Sequence, residues 1–305
     1  MGKVHSSNNQ TILQAQAARI SDAFPQLLID AERVAQTVAQ GIHGRRRIGQ
    51  GESFWQYRAF NMGDSSGLID WRRSAKSDAL YVRETEWEAA QSIWLWRDVS
   101  PSMNFSSNSN LPSKRMRADL LCLALANLLN RSGERFGLIG QSNRASTGRA
   151  GLEKLCEHLL SSDKSDDKPP QADRVVKHSN VVLMGDFLMS VKELQHIFAT
   201  FAERNIKGHI VQILDPAEET LPYQGRVHFM GMENDGDMLV KRVQSLRDRY
   251  CKRLKAHRQG LIDIASVHGW DVFVHHTNYT PETALLTLYM ALTNHQGHDG
   301  RRRQA

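Results

Sequence analysis

"SIWLWRDVSPSM", residues 92–103, sets the fold. Four residues alternate, Ile93, Trp94, Leu95 and Trp96, before a charged end at Arg97 and Asp98. Successive strand side chains point to opposite faces, so Ile93 and Leu95 share one face and Trp94 and Trp96 the other. Both faces are apolar, the pattern of a central strand covered by helices on both sides of its sheet. The strand then delivers Asp98, Ser100 and Ser102, hard oxygen donors at every second position.

Downstream, strands and helices alternate. Helices are expected over 113–133, 148–162, 190–205, 241–268 and 281–295. Strands are expected over 135–141, 180–187, 208–215 and 269–276, with a hairpin inserted at 222–240 that turns near Asn234-Asp235-Gly236. Such alternation predicts an α/β fold, a doubly wound, mostly parallel sheet flanked by helices. Upstream, residues 1–44 read as an amphipathic helical segment and 45–90 as irregular chain with short strands. The main domain spans 91–295, and 296–305 is a basic tail.

Composition narrows the function. The 305 residues carry 39 Lys and Arg against 33 Asp and Glu, a net charge of +6, with much of the excess in Arg45-Arg46-Arg47 and Arg301-Arg302-Arg303. That is not the basic, aromatic-laced stripe of a nucleic-acid binder. The apolar run 120–129 is about half of what a bilayer crossing needs, and the N-terminus has no leader pattern. Three separated cysteines, Cys122, Cys156 and Cys251, make no C-x-x-C pair and fit a reduced, cytoplasmic setting, with Cys122 and Cys156 as core residues. No nucleic acid and no membrane insertion are therefore expected. No P-loop or nucleophile elbow is present. His275-His276 point to opposite faces of a strand, so they are expected to be surface histidines rather than a zinc pair.

In open α/β sheets, sites form beyond the carboxyl ends of strands. Asp98, Asp186 and Asp215 all end strands. Asp98, Ser100, Ser102 and Asp186 could meet in one crevice as oxygen ligands for Mg²⁺, which takes oxygen donors and keeps some water. A competing reading is a Mg²⁺-dependent hydrolase that uses Asp98 and Asp186 with Asp215 or His209 as base. A third is a plain α/β scaffold.

D-x-S-x-S closing a first strand, with a later strand ending in Asp, resembles a von Willebrand factor A-type domain with its metal-ion-dependent adhesion site. The resemblance implies direct metal contact by Ser100 and Ser102, mostly water-mediated contact by Asp98 and Asp186, and a threonine from an intervening loop. Thr147 lies in the matching region, with Ser146 and Ser142 as alternatives. The upstream residues Gly49, Gly51, Glu52, Arg58, Phe60, Gly63, Asp64, Ile69, Asp70 and Trp71 extend the likeness. Together the two segments are similar to the bacterial "domain of unknown function 58" family. That family is linked to MoxR-type AAA+ ATPases in chaperone-like maturation of client proteins. The implied function is a metal-dependent protein-interaction module rather than an enzyme. Arg58, Asp64 and Asp70 are candidates for partner binding, or for an ion-pair network that fastens the irregular segment.

Overall fold

The computed structural model describes residues 26–39, 54–60, 69–76, 79–85, 92–141, 144–161, 169–233 and 236–302. The chain divides into two units, Arg45–Ala90 and the remainder.

The smaller unit pairs β1 (Phe54–Ala59) antiparallel with β2 (Tyr81–Thr85), with a register irregularity between Phe54 and Gln56. Ile69 bridges Val82. One helical turn, α2 (Trp71–Ser74), starts behind Asp70, whose Oδ1 accepts from Arg73 N at 2.9 Å. That hydrogen bond satisfies one of the otherwise unpaired amides of a helix start.

The larger unit is built on five parallel strands in the order β4-β3-β5-β6-β9. They are β3 (Ser92–Arg97), β4 (Arg135–Leu138), β5 (Asn180–Gly185), β6 (Lys207–Leu214) and β9 (Asp271–His276). Numbered by their order in the chain, these strands run 2-1-3-4-5 across the sheet, a doubly wound arrangement whose switch point lies between β3 and β5. The alternation in β3 is realised. Ile93 and Leu95 join a core with Val182, Met184, Val211 and Ile213, while Trp94 and Trp96 join one with Val181, Leu183 and Ile210.

On the first face lie α1 (26–39), α3 (Lys114–Arg131), α4 (Gly148–Ser161) and α8 (Pro281–Arg302). The helix over 26–39 contributes Ala31, Val34, Ala35 and Val38 to that core, so it belongs to the main unit rather than forming a segment of its own. Its packing explains why α3 is apolar over most of its circumference: Leu121–Ala126 are all buried. On the second face lie α5 (Val191–Ala202) and α7 (Gln244–Val267). Trp270, wedged against Phe198 and Phe201, lies so close to β6 that a Cβ on Gly208 would fall 2.1 Å from its ring. Only glycine allows that approach.

A short helix, α6 (Pro216–Thr220), follows β6. The inserted hairpin is present as β7 (Val227–Met230) with β8 (Asp237–Val240), and Gly236 sits at φ 78° in its turn, while Asn234 and Asp235 lie outside the described residues. No helix among the described residues is long and apolar enough to cross a membrane.

Candidate functional site

The carboxyl ends of β3 and β5 flank the switch point, and both present carboxylates. Asp98 N donates to Met184 O at 2.8 Å, which carries the ladder one residue past β3 and fixes Asp98 beside β5. Its Oδ1 accepts from Ser100 N at 2.8 Å, a local turn that Asp favours. Pro101 then opens a single 3-10 turn, Pro101–Asn104, that brings Ser102 back over Ser100. The two hydroxyls lie 3.0 Å apart, and Ser102 Oγ donates to Asp186 Oδ2 at 2.7 Å. Asp98 and Asp186 are 5% and 3% exposed, and both serines are half-buried. Asp98, Ser100, Ser102 and Asp186 therefore converge.

Asp186 is held on every side. Its Oδ1 accepts from Leu188 N at 3.2 Å and its carbonyl from Gln212 Nε2 at 3.0 Å. The intervening Phe187 sits at φ 52°, a left-handed conformation that costs a bulky residue about 1–2 kcal/mol. His257 Nε2, donating to the Phe187 carbonyl at 2.7 Å, and the buried Phe187 ring beside Trp96 hold that turn. Backbone strain of this kind gathers at binding sites, where the surrounding structure overdetermines it.

Sequence reasoning missed the cation. Lys114, the first residue of α3, is 0% exposed, and its Nζ donates to Asp186 Oδ2 at 2.9 Å and to Glu218 Oε1 at 2.6 Å. Burial alone would lower its pKa; the charges of Asp186 and Glu218 and their hydrogen bonds outweigh burial and leave it raised. Burial pushes the Glu218 carboxyl up against the pull of Lys114. A signal existed in "KRMR", residues 114–117. Three cations directly after the N-cap Ser113, with no acid in the first turn, oppose the helix dipole and call for anionic partners elsewhere.

Asp215 ends β6 as expected, but it caps α6. Its Oδ1 accepts from Ala217 N at 2.8 Å and its Oδ2 from Ser107 N at 2.9 Å. Glu218 returns the capping bond to Asp215 N at 2.8 Å. Next to it, Glu219 forms a two-pronged pair with Arg258, whose Nε donates to Gln212 Oε1 at 3.1 Å. A polar chain thus links Asp186 through Gln212 and Arg258 to α6.

Three sequence expectations change. Ser146 bridges Phe136, which pairs with Ile93, so Thr147 lies near the amino ends of the strands, roughly 16 Å along the sheet from Asp98. Gly148 N donates to Asn130 Oδ1 at 2.6 Å, so α4 begins beside the far end of α3, about 24 Å along that helix from Lys114. It is the other end of α4 that comes up to β3, where Arg97 Nη2 donates to Leu159 O at 2.7 Å. Thr147 and Ser146 are therefore not brought to the crevice, and Ser142 lies outside the described residues. His275 is buried, not a surface residue, because Arg117 and the start of α8 cover the end of β9. His209 pairs with Asp271 at 3.2 Å near the start of β6, roughly 20 Å along the strand from Asp215. Asp70 serves as the α2 cap, Arg58 lies on β1 opposite Val82, and Asp64 lies outside the described residues.

The donors can be tested against Mg²⁺. Neighbouring ligands of an octahedral ion at 2.0–2.1 Å stand about 3 Å apart, and the Ser100 and Ser102 hydroxyls are 3.0 Å apart. With Asp98 beside them, these hydroxyls are oxygen donors of the kind a hard divalent ion takes. Asp186 Oδ2, which accepts from Ser102 Oγ, also meets an ammonium. Among the described residues no group of three or more His, Cys, Asp or Glu side chains is arranged to hold a metal, so any ion here leans on the hydroxyls.

Among curated proteins, "Uncharacterized protein Rv1480" of Mycobacterium tuberculosis strain H37Rv and "Uncharacterized protein Mb1516" of Mycobacterium bovis are each 22% identical over 256 residues, 79% of both chains. Among solved structures, an aerotolerance-related membrane protein from Bacteroides fragilis covers 67% of this chain and all of its own, at 13% identity and a TM-score of 0.39. The conserved hypothetical protein BatB from Bacteroides thetaiotaomicron has the same coverage, at 14% identity and a TM-score of 0.34. Both structural likenesses are too remote to carry an argument. The sequence also matches the profile described as "Protein of unknown function DUF58" over residues 56–260. That match runs from within β1 to within α7, through Asp98, Lys114, Asp186 and Glu218, and the chain belongs to this DUF58 family.

Proposed function

We propose that the chain is a protein-interaction module that captures an acidic side chain of its partner through a divalent cation held at the ends of β3 and β5. The observation that carries this reading is the convergence of Asp98, Ser100, Ser102 and Asp186 at the switch point, where open α/β sheets bind ligands. Ser100 and Ser102 would hold the ion, with Asp98 and, through water, Asp186 balancing its charge. When bound, Mg²⁺ supplies a positive centre that a carboxylate from outside can coordinate. The protein's own part is to keep that edge rigid: the Asp98 turn, the Pro101 turn and the strained Phe187 leave the donors little freedom to rearrange.

The family resemblance supports a MoxR-type AAA+ ATPase and its clients as partners, in the assembly or maturation of other proteins. A reducing cytoplasmic setting suits the three free cysteines. The test is capture of proteins from lysate by the immobilised chain, in Mg²⁺ or in EDTA. A set of partners, including an AAA+ ATPase, retained only in Mg²⁺ and lost with Asp98→Ala/Ser100→Ala is the expected result. The same proteins retained by wild type and variant under both conditions would refute the reading.

A further inference from the structure

Lys114 and Ser102 meet on the same oxygen of Asp186. Asp186 Oδ2 accepts from Ser102 Oγ at 2.7 Å and from Lys114 Nζ at 2.9 Å, so one carboxylate oxygen joins the proposed ion site to a buried ammonium. The lysine stem is anchored. Lys114 begins α3 directly after Ser113, whose hydroxyl accepts from Met116 N at 3.2 Å. The ammonium also has a second partner, Glu218, which α6 holds in place through the reciprocal bonds with Asp215. If Asp186 Oδ2 exchanged its bond to Lys114 for a divalent ion, Lys114 would still be paired with Glu218. Exchange would then leave no bare buried charge, the condition that makes broken buried pairs so costly.

We infer that Lys114 is a tethered competitor for the divalent ion: it neutralises Asp186 and keeps the ion loosely held until a partner's carboxylate completes the shell. The inference rests on the functional reading above and specifies how that site is regulated. Ion and partner then bind cooperatively, because the partner's carboxylate supplies the negative charge that Lys114 withholds.

The test uses Mn²⁺ as the probe, titrated by calorimetry and by the loss of its free-ion electron paramagnetic resonance signal, on the full chain. Lys114→Met alone would leave Asp186 and Glu218 unpaired and threaten folding. The comparison is therefore Glu218→Gln against Lys114→Met/Glu218→Gln, each checked for a cooperative melt. Lys114→Gln with Glu218 retained replaces the double variant if the latter does not fold. Removal of the lysine is expected to tighten Mn²⁺ binding at least tenfold, and Ser100→Ala/Ser102→Ala is expected to abolish the gain. Unchanged Mn²⁺ affinity in a folded lysine-free variant overturns the inference. A tenfold gain that persists without the two hydroxyls supports competition by Lys114 but sinks the proposed ion site. A gain that depends on the hydroxyls, alongside lysate capture indifferent to Mg²⁺, upholds the competition and sinks only the interaction reading.

Discussion

A methyl group on Gly185 would lie 2.8 Å from Asp98 Cβ and 3.0 Å from its Oδ2. Gly185 is not in the left-handed region, so what the position requires is space. Gly185→Ala is expected to push Asp98 out of its turn, to lower the unfolding free energy by about 1–3 kcal/mol as overpacking does, and to abolish cation-dependent capture. Urea denaturation with the capture assay checks both. Asp98, Ser100 and Ser102 were legible as a set because two-residue spacing is local and the turn is made by one side chain on its own backbone. Lys114 was legible only as a cation in need of an anionic partner: lysine is almost never fully buried, and no local pattern names an acid 72 residues away.

Two neighbouring acids on α6 are turned to different elements, Glu218 to α3 and Glu219 to α7. Five residues are too few to show a helical period, which is why this helix escaped a reading by periodicity. Its start was written in "DPAE" all the same: Asp as N-cap, Pro in the first turn and Glu three residues on. Asp215→Ala removes the cap and strands Ser107 N, and should cost about 2 kcal/mol, the upper range for a lost cap. Asp215→Asn keeps an acceptor oxygen and should cost less. Thermal melts of the two variants at one pH check the order; equal losses would show that the cap carries little of the stability.

The sheet lines up Asp98, Asp186, Asp215 and Thr277 just past the ends of β3, β5, β6 and β9. At its β9 edge, burial, then Arg117 and His276, lower the pKa of His275 to about 4 from the ordinary 6.5. A histidine whose folded pKa lies below its unfolded value adds stability in full above pH 6.5 and loses it as pH falls towards 4, because the unfolded chain takes the proton first. The loss should approach roughly 3 kcal/mol by pH 4. Asp119, pushed up to about 6 by burial against the pull of Arg97 and Arg115, titrates in the opposite sense. The informative quantity is thus the difference between wild type and His275→Leu in chemical unfolding from pH 7 to pH 4. Wild type should lose stability relative to His275→Leu as pH falls, and a constant difference would show that His275 takes its proton as readily folded as unfolded.

Periodicity carried the two-faced burial of β3, the strand–helix alternation and the oxygen donors at a strand's end, because each is a property of neighbouring residues on a regular backbone. The meeting of Ser102 with Asp186, the seating of Lys114 between Asp186 and Glu218, the burial of His275 and the remoteness of Thr147 depend on strand order and on which end of each helix reaches which end of the sheet. Those follow from how whole faces pack against one another, and no local pattern of residues encodes them.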